Sequence, residues 1–290
     1  MTPTTPPPGS PTNESIANLT VDELFAAAMS AISFNVDTGS GAPSNVSTTS
    51  VGFSSPASIL YNAAADSFTV TFASGGVNFE ETFASGDRVS ADGAAFQQFV
   101  SNGSELLFID PATIVAIERD SGGAIISQST LVYSAFGAWA SSGAASADAT
   151  LGYWAFGVET ETMPTTGTAQ YEGLAIGALT TADAVYDISG GFGITADFST
   201  GDIGVGAVFL RENALGGSAP EQWLEMVGTG SITSGVSFSG TTSVETDTSY
   251  SGAFEGQFYG PAAAEAAGTW SLGNTTETAV GSFGSAKLGN

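Results

Sequence analysis

Tyr250-Ser-Gly-Ala-Phe-Glu-Gly-Gln-Phe-Tyr-Gly-Pro-Ala-Ala-Ala-Glu-Ala-Ala-Gly-Thr-Trp270 changes character at one point. Up to residue 259, Tyr250, Gly252, Phe254, Gly256 and Phe258 alternate with Ser251, Ala253, Glu255, Gln257 and Tyr259. A period of two with one apolar face is the pattern of a strand. Tyr259-Gly260-Pro261 ends it, because Pro261 has no N–H to give a ladder and its fixed φ suits the start of a helical turn, read here over 262–266. Glu265 is placed to accept backbone N–H groups of that turn, and Gly268 to supply the positive φ that returns the chain to the next strand. These residues read as carriers of the fold rather than as ligand contacts.

Outward from this point the same period recurs. Ile188, Gly190, Phe192, Ile194, Ala196 and Phe198 fill one face, opposed by Ser189, Gly191, Gly193, Thr195 and Asp197, and Ser199-Thr-Gly-Asp202 turns the chain back. Eight strands are predicted after residue 165, at 167–178, 187–198, 202–210, 223–230, 232–245, 248–259, 268–272 and 279–287. Short turns join them, and Lys, the usual guardian of exposed edges, is nearly absent, so closure into an antiparallel barrel is the economical arrangement. A transmembrane barrel would need an apolar outer band, whereas the outward candidates here are Ser, Thr, Asp and Gly.

The first half is less regular. Residues 1–19 hold many prolines and no apolar period, and read as a disordered tether of polyproline type. Thr20-Val-Asp-Glu23 looks like a capping box, and Val21, Leu24, Phe25, Ala28, Met29 and Ile32 form a helical stripe, so a short helix is predicted. Residues 35–50 read as a polar linker. Phe68, Val70 and Phe72, the turn Ser74-Gly75-Gly76, then Val77, Phe79 and Phe83 make a hairpin. Further strands are expected at 106–109, 114–118, 124–128, 131–139 and 153–158, with a weak helix at 94–101. The expected organisation is a tether (1–19), a helix and linker (20–50), a small β-rich domain (51–160) and a barrel (161–290). The fold class is all-β with one short N-terminal helix.

Composition removes whole chemistries. The chain has no His and no Cys, which excludes a Ser-His-Asp triad, imidazole or thiolate metal sites and disulfides. Lys and Arg total 4 against 29 Asp and Glu, a net charge of −25, so neutralising a nucleic-acid backbone is excluded. No apolar run is long enough for a spanning helix. Glu80-Glu81, Glu159/Glu161 and Glu212/Glu221/Glu225 are read as solvated faces rather than glycosidase pairs, and Asp183, Asp187 and Asp202 lie on different turns without a calcium-loop spacing. Haem ligation by Tyr61, Tyr133, Tyr153, Tyr171, Tyr186, Tyr250, Met163 or Met226 is the weaker reading of residues that suit a β core. No catalytic residue, metal or cofactor is assigned.

The stretch 255–270, followed by Gly281-Ser-Phe-Gly-Ser-Ala-Lys287, resembles the end of the barrel domain of the transferrin-binding protein B-like family of bacterial surface lipoproteins. Gly256, Phe258, Tyr259, Gly260, Pro261, Ala263, Glu265, Gly268, Gly281, Phe283 and Gly284 sit on the family pattern, while Ala267 and Trp270 depart from it. Met163-Pro-Thr-Thr-Gly-Thr-Ala-Gln-Tyr-Glu-Gly173 is similar to the family's entry into its first barrel strand, and Gly240 also fits; the likeness covers about residues 150–290. It implies a β-rich handle packed on the barrel. It also implies a non-enzymatic surface or secreted binding protein capturing a protein or small solute, in several relatives for iron or haem acquisition, at the outer membrane or outside the cell and with an outer-membrane receptor as a further partner. A lipid anchor would need a Cys outside this sequence. The competing reading is a structural or adhesive surface-matrix protein.

Two places are candidates for binding. Tyr153-Trp154 lies on the approach to the barrel. Arg211-Glu212, with Trp223, flanks the longest loop of the barrel half, and long loops are where binding usually resides. An acidic surface of this kind favours a ligand with a basic patch, recognised in a salt-sensitive way.

Overall fold

A computed structural model describes residues 12–37, 39–53, 56–91, 93–142, 148–216 and 219–289. The C-terminal half is a closed antiparallel barrel of eight strands in chain order. With β1–β11 assigned to the first half, these are β12 (Thr168–Thr180), β13 (Val185–Asp197), β14 (Asp202–Asn213), β15 (Glu221–Ser234), β16 (Ser237–Val244), β17 (Asp247–Tyr259), β18 (Glu265–Gly273) and β19 (Thr278–Lys287). The circle closes where β12 pairs with β19, Tyr171 opposite Lys287 and Thr180 opposite Thr278. The expected strands match these within a few residues.

The lumen is solid. Phe192, Phe209, Phe238, Phe254, Phe258, Phe283 and Trp270 point inward and form one buried cluster. Phe192 stacks on Phe283 with centroids 4.2 Å apart, and Phe209 on Trp270 at 4.5 Å. The larger indole at position 270 fits because two facing positions are glycine: a Cβ at Gly177 or Gly281 would sit 2.6 or 2.5 Å from it.

The first half is a curled sheet of nine strands. β1 (Glu23–Val36), β2 (Pro43–Val51), β3 (Ser58–Asn62), β4 (Ser67–Ser74), β5 (Val77–Ala84), β6 (Phe96–Ser101), β7 (Ser104–Ile109), β10 (Ser134–Ser142) and β11 (Asp148–Gly157) run in the order β5-β4-β3-β1-β11-β10-β7-β6, with β2 also on β1. A separate hairpin is formed by β8 (Ala116–Arg119) and β9 (Ile125–Ser129). The hairpin expected at 68–83 is β4–β5.

Four expectations of the first half are corrected. The short helix is the long strand β1. Its residues 27–32 are buried without interruption, because β1 is covered by the sheet's own core on one side and by the barrel on the other. Ser30 hydroxyl donates to the Gly281 carbonyl of β19 at 3.3 Å. Burial on both faces erases the period of two and leaves an apolar run that mimics a helix. Glu23 caps no helix; its carboxylate accepts from the Asn13 backbone N–H at 2.7 Å and from Asn13 Nδ2 at 2.8 Å. The tether is therefore ordered from Asn13, which is buried with Ile16; its residues 1–11 lie outside the described residues. The linker at 35–50 is mostly β2, and the weak helix at 94–101 is β6.

The turn after Pro261 also differs. Gly260, Ala262 and Ala263 take positive φ, 70°, 54° and 57°, so the link is a left-handed turn and not a helical one. Gly268 does not need a positive φ. It is glycine because a Cβ there would meet the Glu255 carbonyl oxygen at 2.0 Å. Glu265 opens β18 facing away from the lumen and reaches the sheet. It accepts from the N–H of Val132 at 2.6 Å, Tyr133 at 3.1 and 3.2 Å and Ser134 at 2.8 Å, and from the Ser134 hydroxyl at 2.7 Å. Barrel and sheet share a core in which Tyr259, Ala267 and Ala286 join Phe136, Trp139 and Phe156. Small outward residues allow that approach, since a Cβ on Gly284 would strike the Phe136 ring at 2.5 Å. Among the described residues no helix is long and apolar enough to cross a membrane.

Candidate functional site

The five candidates of the sequence do not form one site. Trp154 is wholly buried in the sheet core, 5.1 Å between ring centroids from Phe108 and 5.4 Å from Phe156. Tyr153, its neighbour on the opposite face of β11, is buried with Ile32, Phe34, Ala178 and Val280 between sheet and barrel. Burial holds its hydroxyl far above the usual tyrosine range, with Asp187 adding to the shift. Both are structural in position. Arg211, Glu212 and Trp223 gather at one barrel mouth, where β12–β13, β14–β15, β16–β17 and β18–β19 turn.

There Arg211 Nε donates to Glu221 Oε1 at 2.8 Å and Nη2 lies 2.7 Å from the same oxygen. The guanidinium sits 5.0 Å from the centre of the Tyr186 ring, a cation–π contact across β13 and β14. Glu212 faces Asp187 directly on the neighbouring strand, a like-charged cross-strand pair. Trp223 is half-buried and lies 6.2 Å from Phe209 and 6.3 Å from Tyr250 between ring centroids. Its Nε1 donates to Glu277 Oε2 at 3.2 Å, and the Tyr250 hydroxyl donates to the same oxygen. Burial and then the Glu277 carboxylate push the Tyr250 hydroxyl up to about 12. The turn carrying Glu277 is fixed by Asn274, whose Oδ1 accepts from the N–H of Thr276 and Glu277 at 2.8 and 2.9 Å.

Beyond Arg211 and Glu212 the chain leaves β14 at Asn213. Asn213 Oδ1 accepts from Leu215 N–H at 2.9 Å and turns the loop outward, leaving Leu215 76% exposed. Leu215 Cδ1 comes so near Gly41 that a Cβ there would be 2.7 Å away, so the loop rests on the β1–β2 turn. Aromatic rings, a paired guanidinium, surplus carboxylates and an exposed leucine thus share one face. Among the described residues no three carboxylates converge to hold a metal ion.

The sequence reading missed Glu277 and Leu215, and weighed Tyr186 and Tyr250 only as haem ligands. A signal was present: in an up-and-down barrel, alternate hairpin turns come to the same end, so residues next to the loops at 181–184, 214–220, 245–246 and 274–277 meet. Of the tyrosines and methionines weighed for haem, Tyr171 is committed to the Ala263 carbonyl at 2.8 Å and Met226 is buried in the lumen.

The family of C-lobe and N-lobe beta barrels of Tf-binding protein B matches residues 163–287. No curated protein matches the chain. Similar solved structures include the isotype 1 transferrin-binding protein B of serogroup B Neisseria meningitidis, 17% identical with a TM-score of 0.45, covering 90% of this chain and 43% of that one. The haemoglobin receptor HpuA of Kingella denitrificans is 15% identical with a TM-score of 0.40, covering 98% and 92%. The N-lobe domain of lactoferrin-binding protein B of Moraxella bovis is 13% identical with a TM-score of 0.36, covering 90% and 98%. The chain spans less than half the length of the Neisseria protein.

Proposed function

We propose that this chain, whose residues 163–287 match the transferrin-binding protein B barrel family, is a non-enzymatic binding protein that captures a protein ligand outside the cell, at the cell surface or released, in the acquisition of iron or haem. The observation that carries this reading is the family match over a closed barrel whose lumen is filled by aromatic rings. A full lumen leaves no interior room for a small solute, so recognition falls to the outer surface.

The mouth formed by Arg211, Glu212, Leu215, Trp223, Tyr250 and Glu277 is the face we assign to the ligand. Trp, Tyr and Arg are the side chains that most often anchor protein interfaces. Arg211 and Trp223 are already held by Glu221 and Glu277, so less freedom is lost when a partner docks. The charge of −25 favours a ligand with a basic patch and a fast, salt-sensitive encounter.

Binding of the full chain to transferrin, lactoferrin and haemoglobin, each by biolayer interferometry at low and high salt, tests the reading. Saturable binding to one of them, weakened by salt and at least tenfold by Trp223→Ala or Arg211→Ala, supports it. Absence of binding to all three together with concentration-dependent self-assembly overturns it in favour of a structural surface protein.

A further inference from the structure

On the outer wall of the barrel, beside the segment that leads into β8, strand register lays out a second feature. Across β12–β15 one row of outward positions runs Glu172, Gly193, Gly206, Val227, and the next runs Leu174, Gly191, Val208, Glu225. The glycines form the floor of a solvent-open groove of about 450 Å³, walled by Val208, Val227 and Val115. A second hollow of about 400 Å³ continues it over Gln170, Thr195 and Gly204.

The fold does not require these glycines. Elsewhere in the barrel strands a Cβ would collide with backbone, at 2.0 Å for Gly173, 2.1 Å for Gly281 and 2.1 Å for Gly230. At Gly191 a Cβ would meet nothing within 4 Å; at Gly193 and Gly206 the nearest atoms are 3.7 and 4.0 Å away, and none of the three has a positive φ. Exposed strand positions favour branched or aromatic residues, so each glycine here lowers strand stability with no packing return. Beside the floor, Val208 is 48% exposed. Glu172 and Glu225, at diagonal corners, are exposed and have no hydrogen-bond or ion partner among the described residues.

We infer that this groove is a docking surface for a Lys- or Arg-bearing segment of a partner protein. The bare floor and the valines take the aliphatic stems, and Glu172 and Glu225 take the cationic heads. Lys and Arg pack their methylenes on apolar surface while the charged end reaches outward, which suits a floor flanked by carboxylates on β12 and β15, three strand spacings or roughly 14 Å apart. Charge complementarity selects the occupant. A second copy of this chain carries −25 with only 4 cationic side chains, so the segment comes from a different, basic protein. This surface is separate from the mouth and does not depend on the identity of the ligand there.

The test uses the isotopically labelled full chain and a synthetic peptide of alternating arginine and leucine, with amide chemical shifts read by NMR. Expected are shifts concentrated at Gly191, Gly193, Gly206, Val208 and Glu225, and an affinity falling at least tenfold in Glu172→Gln/Glu225→Gln and in Gly191→Val/Gly193→Val. The valine variant, filling open space, keeps or raises the melting temperature. The control Glu80→Gln, an exposed carboxylate on β5, leaves affinity unchanged. Shifts spread over the whole acidic surface, shifts confined to the mouth, an affinity loss equal in Glu80→Gln, or no loss in either groove variant would each overturn the inference.

Discussion

Glu265→Ala separates the carboxylate that joins the two halves from the packing around it. The side chain is 3% exposed and accepts from three backbone N–H groups and one hydroxyl. With Ala, the Ser134 hydroxyl rotates to another acceptor, while the three N–H groups lose theirs; each buried donor left unpaired costs about 1–3 kcal/mol. Val132 and Tyr133 are only half-buried, so water relieves part of this, whereas Ser134 is buried. Removing a charge that had been taken out of water returns several kcal/mol more. The net expectation is a loss of about 1–3 kcal/mol, a fall in melting temperature of about 2–9 °C. Glu265→Gln keeps one acceptor oxygen and sheds the charge, so it costs about 1–2 kcal/mol.

The pH dependence of the same residue has a definite sign. Burial raises the Glu265 carboxyl above its ordinary 4.5 despite the hydrogen bonds from Val132, Ser134 and Tyr133 that pull it down. The folded chain therefore holds this proton more tightly than the unfolded chain. Stability from this group is complete below 4.5 and is lost as pH rises through the folded value. The native protein gains stability as pH falls from neutral, and Glu265→Gln flattens that slope. Denaturant melts across this range, with hydrogen exchange of the Val132, Tyr133 and Ser134 amides, measure both effects. A loss under about 1 kcal/mol in the Ala variant with unchanged exchange at those amides would refute the account of the joint.

Gly268→Ala drives a Cβ to 2.0 Å from the Glu255 carbonyl and 2.6 Å from the Gly256 Cα, both backbone, so it destabilises by about 3 kcal/mol or more in a thermal melt. Phe192→Ala empties the stacked pair with Phe283 and costs about 3–5 kcal/mol by the same measurement. Arg211→Ala changes stability by less than about 1 kcal/mol, because its pair with Glu221 is largely exposed, while ligand affinity falls as proposed above. Glu277→Gln lowers the Tyr250 ionisation from about 12 part of the way toward 10, burial keeping the remainder, as read by tyrosinate absorbance at alkaline pH.

The barrel was legible because β13 to β16 each have one dry face and one wet face, and that contrast is what a period of two records. Ile188, Phe192 and Ile194 are buried while Ser189, Gly191 and Thr195 are exposed. Where the contrast vanishes the reading fails. β1 is dry on both faces over residues 27–32, and β2, with the pattern Ser-Asn-Val-Ser-Thr-Thr-Ser from 44 to 50, is mostly wet on both. One passed for a helix and the other for a linker. Glu265 was singled out correctly as an acceptor of backbone N–H groups, but its donors lie more than 130 residues away in the chain. No local pattern records a partner of that separation.

The site divides along the same physics. Tyr153 and Trp154 are adjacent in a strand, so they must face opposite ways. In a strand covered by the sheet core on one face and the barrel on the other, both orientations are dry, and two large side chains side by side indicate double burial more than a binding pair. Arg211 and Trp223 flank the β14–β15 loop, as the sequence placed them, and their binding role is the proposal made above. The residues around them were hidden for a topological reason: Tyr186, Tyr250 and Glu277 stand on three other strands and meet only after the barrel has closed. Under the function proposed above, closure places recognition outside. Eight strands enclose just enough space for side chains, and in this chain a buried cluster with nine aromatic side chains occupies it. Every residue left for a ligand is on the mouth or the outer wall, and there the excess of carboxylates over cations makes a basic partner the complementary one.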